Sequence, residues 1–344
     1  MKLEGKTCLI LYNVASGKPP EEMAEADFES ILNERSDTKA VRSSLKELGM
    51  NVRTLALRKL TSKFTAQLEE IKPDLIFNLC ETLYNHKHKA LAEMYVAGWL
   101  ELLKIPYTGA PPLSLVLALN KMRCKQIARA SGLPVAPSIL AQVGDMPNLD
   151  AITPPFIVKP VREDGSFGIT KDSVVKTPKE AEEQIKIIHE TYKQAALVEE
   201  FIEGREVTVP VFGNPPRVLG IGEIDFSVLS AKEPKIKSYE AKWKSDAPDL
   251  NAVFPAEIET TLKNRLEKLA LRAFQTLGCR DYARIDFRIS ENRRPYILEI
   301  NPNPDFSPEG EFGDSARLQN LTYTDLVKEI VENTLARGNA VDFE

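Results

Sequence analysis

The sequence predicts an α/β protein that opens with a parallel-sheet domain. Three observations carry this reading. Strand-like apolar runs alternate with helical segments as far as Leu103, the order that builds an open parallel sheet with helices on its faces. From Pro155 onward, further strand runs are set among amphipathic helices, clearest at Pro178 to Thr191 and at Glu257 to Leu277. Between Arg280 and Ser307, two strands flank a polar turn, with an apolar face behind two carboxylates.

The elements follow in order. Lys6 to Val14 reads as the first strand, and Pro19 to Glu34 is acidic and helix-prone. Asp37 to Leu48 carries apolar residues at Val41, Leu45 and Leu48 and meets Gly49, a helix with a glycine stop. Val52 to Leu57 and Asp74 to Leu79 are strands, and alanine-rich Ala90 to Leu103 is a helix. No G-x-G-x-x-G follows the first strand, so a dinucleotide site has no support. Leu115 to Ser131 reads as one helix ending before Gly132. Pro155 to Pro160 is a strand bearing Lys159, followed by the turn Val161 to Gly168. Glycines there let backbone N–H groups converge on phosphate oxygens. Ala196 to Glu203 and Arg205 to Phe212 are strands, and Ile236 to Pro248 is a polar segment of the kind that forms a lid. The stripe Leu262, Leu266, Leu269, Ala273, Phe274 and Leu277 marks a helix that should pack behind the acidic strands. Leu321 to Leu335 is a last amphipathic helix.

A chain of 344 residues has room for two or three domains. Its 43% hydrophobic and 28% charged content is ordinary for a globular protein. A net charge of -5 offers no electrostatic support for general nucleic-acid or membrane-surface binding. No apolar run reaches membrane-spanning length, and Thr7 to Leu11 lacks the cleavage site of a signal peptide. The four cysteines are widely spaced without a C-x-x-C pair, which suits reduced thiols in a cytoplasmic protein. His86 and His88 lie in a basic loop and read as solvated, because no third ligand is near in sequence.

The strand pair near the C-terminal end holds the sharpest chemistry. Side chains alternate along a strand, so Arg284, Asp286 and Arg288 share one face while Ala283, Ile285 and Phe287 share the other. On the second strand Ile297, Glu299 and Asn301 oppose Tyr296, Leu298 and Ile300. Antiparallel pairing brings Asp286, Glu299 and Asn301 together, three oxygen ligands suited to a hard cation such as Mg²⁺ beside a phosphate. Asn301 runs into Pro302-Asn303-Pro304, where two prolines limit the loop. Glu81 follows a strand end, where α/β proteins place ligands; it reads equally as a contact for an amino substrate or as a helix cap.

R-x-D-F, a polar turn and Y-x-L-E-x-N-P resemble the metal-binding end of the ATP-grasp ligases, nearest the D-alanine–D-alanine ligase branch. The segment IPYTGAPPLSLVLALNKMRCKQIARASGLPVAPS is similar to that family's link into its central domain, and the resemblance runs in order along nearly the whole chain. It implies an ATP-grasp fold with an N-terminal open parallel α/β domain over 1–110, a central α+β domain over 111–195 and a C-terminal α+β domain over 196–344, the last two clamping ATP. It implies two Mg²⁺ ions, or Mn²⁺ in their place, on Asp286, Glu299 and Asn301. Lys121, Lys159, Gly165 and Ser166 would face the phosphates. Glu199 and the backbone of Glu200 and Ile202 would meet the base, with Glu206 on the ribose hydroxyls. Arg284, Lys242 and Ser166 take the catalytic positions, Lys242 matching the lysine for the transferred phosphate. A homodimer through the first domain is also implied.

The amino-acid site departs from the family. Where those ligases carry a glutamate in a turn after the first strand, this chain reads Tyr12-Asn13-Val14-Ala15-Ser16. Their H-G-x-x-G-E segment is replaced by Asn78-Leu79-Cys80-Glu81-Thr82, and their paired phosphate-loop serines by Gly165-Ser166. The lid tyrosine is Trp243, and the glycine and serine after the metal asparagine are Asp305 and Gly310. An aspartate is a poor neighbour for a bound carboxylate. The expectation is therefore an ADP-forming ligase joining a small-molecule carboxylate donor to an amine acceptor with altered substrates. Glu81, Trp243, Asp305 and Glu309 are its substrate candidates, and Asp305 or Glu309 would meet an acceptor's positive charge. The alternatives are a D-alanine–D-alanine ligase of cell-wall synthesis and a non-catalytic ATP-binding sensor or partner protein. The full set Arg284, Lys242, Asp286, Glu299 and Asn301 exceeds what a mere binder needs.

Overall fold

The computed structural model describes residues 1–13, 25–57, 59–81, 91–230, 233–243 and 250–338, with the side chains of 25–35, 242 and 243 also outside the description. Three sheets organise it.

The first is wholly parallel, in the order β2-β1-β3, from β1 (Thr7–Asn13), β2 (Asn51–Leu57) and β3 (Leu75–Leu79). Helices α1 (Glu25–Glu47), α2 (Ser62–Ile71) and α3 (Ala92–Leu102) belong to this region. Alternation along β1 sends Leu9 and Leu11 toward Phe64, Leu68, Val96 and Leu100, while Cys8 and Ile10 join Val41 and Leu45. Both faces are covered, so Cys8 to Leu11 are all fully buried. Of the two segments expected before β2, the described residues run as one helix, since nothing between Glu25 and Glu47 is glycine or proline, while 19–24 lie outside the description. Helix α2 escaped the sequence reading; Thr61 caps it by accepting from the Phe64 N–H, and Phe64 and Leu68 bury its inner face.

The single helix expected from Leu115 to Ser131 is two, α4 (Pro112–Leu119) and α5 (Lys121–Ala130). Asn120 leaves helical geometry at φ -86, ψ 93, and its side chain accepts from the Arg123 N–H. It is the N-cap of α5, which puts Lys121 in the first turn.

The second sheet is antiparallel, β4-β7-β5-β6, from β4 (Ser138–Ala141), β5 (Phe156–Pro160), β6 (Val174–Val175) and β7 (Ala196–Glu200). Helix α6 (Pro178–Thr191) packs Ala181, Ile185 and Ile188 on Phe156, Val158 and Val198. Strand β7 pairs with β4 and β5, so this sheet runs past residue 195, and the strand stops at Glu200 rather than Glu203.

The third sheet runs β11-β10-β8-β12-β13, with β9 beside β8. Its strands are β8 (Gly204–Phe212), β9 (Arg217–Val218), β10 (Gly222–Ile224), β11 (Ala252–Val253), β12 (Tyr282–Ser290) and β13 (Pro295–Asn301). The lid segment contains the short helix α7 (Tyr239–Trp243). Helix α8 (Thr260–Thr276) covers one face, packing Leu266, Ala270 and Phe274 with Val207, Val209, Ile285 and Phe287. Strand β12 pairs with β13 in the register Arg284 with Asn301 and Asp286 with Glu299, then shifts to Phe287 with Ile297. The unpaired Leu298 is a β-bulge, and it corrects one expectation. Ile297 does not share the face of Glu299; the extra residue turns it into the α8 core beside Ile300. Two helices close the described chain, α9 (Glu311–Leu318), also absent from the sequence reading, and α10 (Tyr323–Arg337). Helix α10 returns to the first sheet, where Leu326, Val327 and Ile330 join Cys8, Ile10 and Phe77. No helix among the described residues is long and apolar enough to cross a membrane.

Candidate active site

The uncovered face of the third sheet, the second sheet and the loop after β13 line a cleft of about 1500 Å³. One end is built from lysines. Lys159 on β5 approaches Glu199 Oε2 at 2.5 Å, and Lys125 on α5 approaches Glu199 Oε1 at 2.7 Å. All three are buried. Burial alone pushes the Glu199 carboxyl up, but Lys125 and Lys159 overcome it and hold it below the usual range. Burial pulls the Lys125 ammonium down, against the pull of Glu199.

Lys121 donates its backbone N–H to Val161 O at 3.0 Å and its ammonium to Glu163 O, so α5 is tied to the turn after β5. Gly165, Ser166 and Gly168 in that turn all have positive φ, at 61°, 66° and 73°. At Gly168 a Cβ would lie 2.5 Å from Pro160 Cγ. Ser166 bears a side chain in the left-handed region, a local strain of the kind that gathers at functional sites. Its Oγ donates to Lys237 O at 2.9 Å, and Tyr239 N–H donates to Ile169 O at 2.8 Å. The phosphate-loop candidate and the lid are therefore in contact.

Glu200 uses its N–H on Pro137 O, and its side chain accepts from the Thr153 N–H. Ile202 O accepts from Arg288 Nε at 3.0 Å. Glu206 on β8 accepts from Arg288 Nη1 at 3.2 Å; burial lifts its carboxyl above the usual range despite that partner.

Along the third sheet, Arg284 grips Asp286 through Nε and Nη2, at 2.9 to 3.2 Å. Arg284 Nη1 lies 3.8 Å from Glu311 Oε1 on α9. Burial disfavours the guanidinium charge, yet Asp286 and Glu311 outweigh it and raise its pKa further. Glu299 stands opposite Asp286, and Asn301 Oδ1 accepts from the Asn303 N–H at 2.9 Å. Among the described residues there is no group of three or more His, Cys, Asp or Glu side chains able to hold a metal. The trio here is two carboxylates and an amide, converging on one sheet face where Arg284 already balances excess negative charge, and that all-oxygen donor set fits Mg²⁺.

The opposite end is acidic. Asp37 on α1, Glu81, Glu93 on α3, Asp305 and Glu309 all line the cleft. The Asp37 carboxyl hydrogen-bonds that of Asp305, and it is pushed up to about 8 by burial, then by Asp305 and Glu81. Glu93 is held well above the usual range by burial, then by repulsion from Glu81 and Asp164, though it accepts from Asn303 Nδ2 at 3.2 Å. Asp305 accepts from the Ser307 N–H and Oγ, both at 2.9 Å. Phe306 anchors this loop, its ring 5.0 Å from that of Tyr282 and its carbonyl accepting from Tyr323 Oη at 2.7 Å. The Glu81 N–H donates to Asn13 Oδ1 at 2.8 Å.

A family model described as D-ala D-ala ligase C-terminus matches residues 127–332. A D-alanine–D-alanine ligase of Carboxydothermus hydrogenoformans is 33% identical over 303 residues, covering 81% of this chain and 93% of its own. The chain belongs to the D-alanine–D-alanine ligase family. Within it, a ligase of Bartonella henselae is 31% identical over 269 residues, with 77% and 82% covered. The fold matches the crystal structure of the Bacillus anthracis ligase complexed with ATP at a TM-score of 0.72 and 20% identity, covering 96% and 98% of the two chains. The ATP-grasp fold expected from the motifs is thus the fold of this family member.

Arg284, Asp286, Glu299, Asn301, Lys121, Lys159, Gly165, Ser166, Glu199, Glu200, Ile202 and Glu206 all line the one cleft, as do Glu81, Asp305 and Glu309. The side chains of Lys242 and Trp243, and His86 and His88, lie outside the described residues. The sequence reading missed Lys125, although its spacing four residues after Lys121 puts both on one helix face. It also missed Asp37, Glu93 and Glu311, which reach the cleft from α1, α3 and α9 with no local signal.

Proposed function

We propose that this chain is an ADP-forming carboxylate–amine ligase that makes a peptide-like amide through an acyl phosphate. The observation that carries this is one cleft with a lysine-lined phosphate loop on one wall and Arg284, Asp286, Glu299 and Asn301 on the other. Lys121, Lys125 and Lys159 neutralise and orient the phosphates, since positioning and charge carry phosphoryl transfer to a carboxylate. Glu199 fixes both buried lysines in place. Asp286, Glu299 and Asn301 would hold Mg²⁺, which when bound offsets the charge on the transferred phosphoryl group. Arg284 faces the oxyanion formed when the amine attacks the acyl phosphate. Ser166 ties the loop to the lid, and a lid held over the site excludes the water that would hydrolyse the acyl phosphate. Lys242 takes the transferred-phosphate position on the lid.

The acidic end supports a changed acceptor. Asp37, Asp305 and Glu309 are unfavourable neighbours for an acceptor carboxylate and favourable ones for a second cationic group. Glu81 and Trp243 complete the substrate candidates. We take the regions 1–110, 111–195 and 196–344 as the functional divisions and the first as the homodimer surface.

The test is ADP release with Mg²⁺-ATP across D- and L-amino acids and diamines, singly and in pairs, with products read by mass. Release only with pairs whose acceptor carries a second cationic group is the expected result. Release with D-alanine alone, yielding D-alanyl-D-alanine, overturns the changed-acceptor reading. ATP binding with no release for any substrate makes the chain a binder rather than a ligase.

A further inference from the structure

Arg288 stands on β12 on the same face as Arg284 and Asp286, yet no step above uses it. It is 4% exposed and lines the cleft. Its Nε donates to Ile202 O at 3.0 Å, and its Nη1 donates to Lys235 O at 2.9 Å and to Glu206 Oε2 at 3.2 Å. The guanidinium lies 5.2 Å from the Phe201 ring centre and 5.9 Å from that of Phe226. One planar group therefore ties three separate segments: the link between β7 and β8, β8 itself, and the lid approach before α7.

Nη2 of the same group is buried with no hydrogen-bond partner among the described residues. An arginine placed only to fill this space would be a poor choice. A buried N–H without a partner is costly, and an apolar side chain in place of a buried ion pair is often as stable or more so. Buried unpaired polar groups in a native fold call for a functional account. Lysine cannot substitute, because three acceptors in different directions need the fixed fork of a guanidinium.

We propose that Arg288 is the positioning residue of the nucleotide half of the cleft, setting Glu206 and the Ile202 backbone for the ribose and base of ATP and tying the lid approach at Lys235 to them. This rests on the reading of the cleft as an ATP site. Arg288 acts through Glu206, so its loss should be felt as ribose recognition and not as chemistry.

The experiment is calorimetric titration of Mg²⁺-ATP and Mg²⁺-2′-deoxy-ATP into the wild type, Arg288→Met and Arg288→Lys, alongside KM and kcat from ADP release. Both variants should weaken ATP binding by about 10- to 100-fold, the range for a buried charge-assisted hydrogen bond. Both should lose the preference for ATP over the deoxy nucleotide, with kcat at saturating ATP retained. Arg288→Lys keeps charge and length, and serves if the methionine variant fails to fold. Folded variants that bind both nucleotides as the wild type does overturn the proposal while leaving the ATP site intact. Weakening that is equal for both nucleotides, with lowered thermal stability, overturns it in favour of passive packing. A wild type that binds ATP and deoxy-ATP alike overturns it as well, and a wild type that binds neither removes the ATP reading beneath it.

Discussion

The two ends of the cleft handle buried charge in opposite ways. At the lysine end buried charges of opposite sign meet, with Glu199 held between Lys125 and Lys159. At the acidic end like charges meet, with Asp37 bonded to Asp305 and Glu93 facing Glu81 and Asp164. The first arrangement holds its lysines in place without a ligand and leaves a net positive charge. The second stores repulsion, which a proton or a cationic ligand relieves. Chemistry shared by a family suits the first kind of site, and substrate choice suits the second.

The largest effect is expected at the proposed metal face. Glu299→Gln should lower ligation turnover by about 10³-fold, the scale of losing the cation that Glu299 would hold beside the transferred phosphoryl group, with ATP affinity measured by calorimetry much less affected. Turnover close to that of the wild type would remove Glu299 from the metal set. Next is the lysine end itself. Glu199→Gln strands two buried ammonium groups and should cost about 3–5 kcal/mol in urea unfolding. Because the Glu199 carboxyl is held low in the fold, its stabilisation is fully present above its ordinary value of 4.5 and is lost as pH falls through the folded value. The gap between wild type and variant should therefore narrow in acid; a gap independent of pH would mean that the ionised carboxylate is not what matters.

At the acidic end the effects are smaller and concern selectivity. Asp305→Gly should shift the ratio of kcat/KM for cationic over neutral acceptors by about tenfold, the worth of one charged contact. An unchanged substrate profile would count against the acidic acceptor site. The last variant, Asp37→Asn, is read in stability rather than selectivity. The Asp37 carboxyl is raised to about 8, so the native state favours its protonated form and loses stability as pH climbs from the carboxylate range to 8. The variant should melt higher than the wild type above pH 8 and gain little at pH 4, as thermal scans over that range would reveal.

The same contrast explains what could be read from the sequence. The proposed metal face was legible because Arg284, Asp286, Glu299 and Asn301 lie on two adjacent strands with period-two spacing, so local geometry alone brings them together. Even there, the bulge at Leu298 was hidden, since one extra residue changes no composition, yet it turns Ile297 toward the core and Tyr296 onto the face of Arg288. Asn120 was legible in principle as a cap but lay inside an apolar run that read as one helix. The acidic end was largely illegible. Asp305 and Glu309 drew attention as departures from a motif, but Asp37 and Glu93 arrive from helices more than 200 residues away in the chain, and only tertiary folding brings them close. Arg288 was placed on the correct face, but two of its three acceptors, Ile202 O and Lys235 O, come from loops whose paths no periodicity predicts.

The return of α10 to the first sheet has a consequence for how the protein is made. Strands β1 and β3 leave the ribosome early, but the face bearing Cys8, Ile10 and Phe77 is completed by Leu326, Val327 and Ile330 at the far end of the chain. The last helix is further pinned by Arg337 to Asp281 at 2.9 Å and by Glu332 to the Met1 amino group at 3.3 Å. Domains commonly fold in the order of their synthesis, and this one cannot. Its beginning must wait, with an apolar sheet face partly bare, until Leu326 to Ile330 have been made. A stop codon or ribosome stall after β13 would therefore release a chain whose first domain is the part left unfinished, and a nascent chain of this protein should hold chaperones at its N-terminal strands until the closing helix appears.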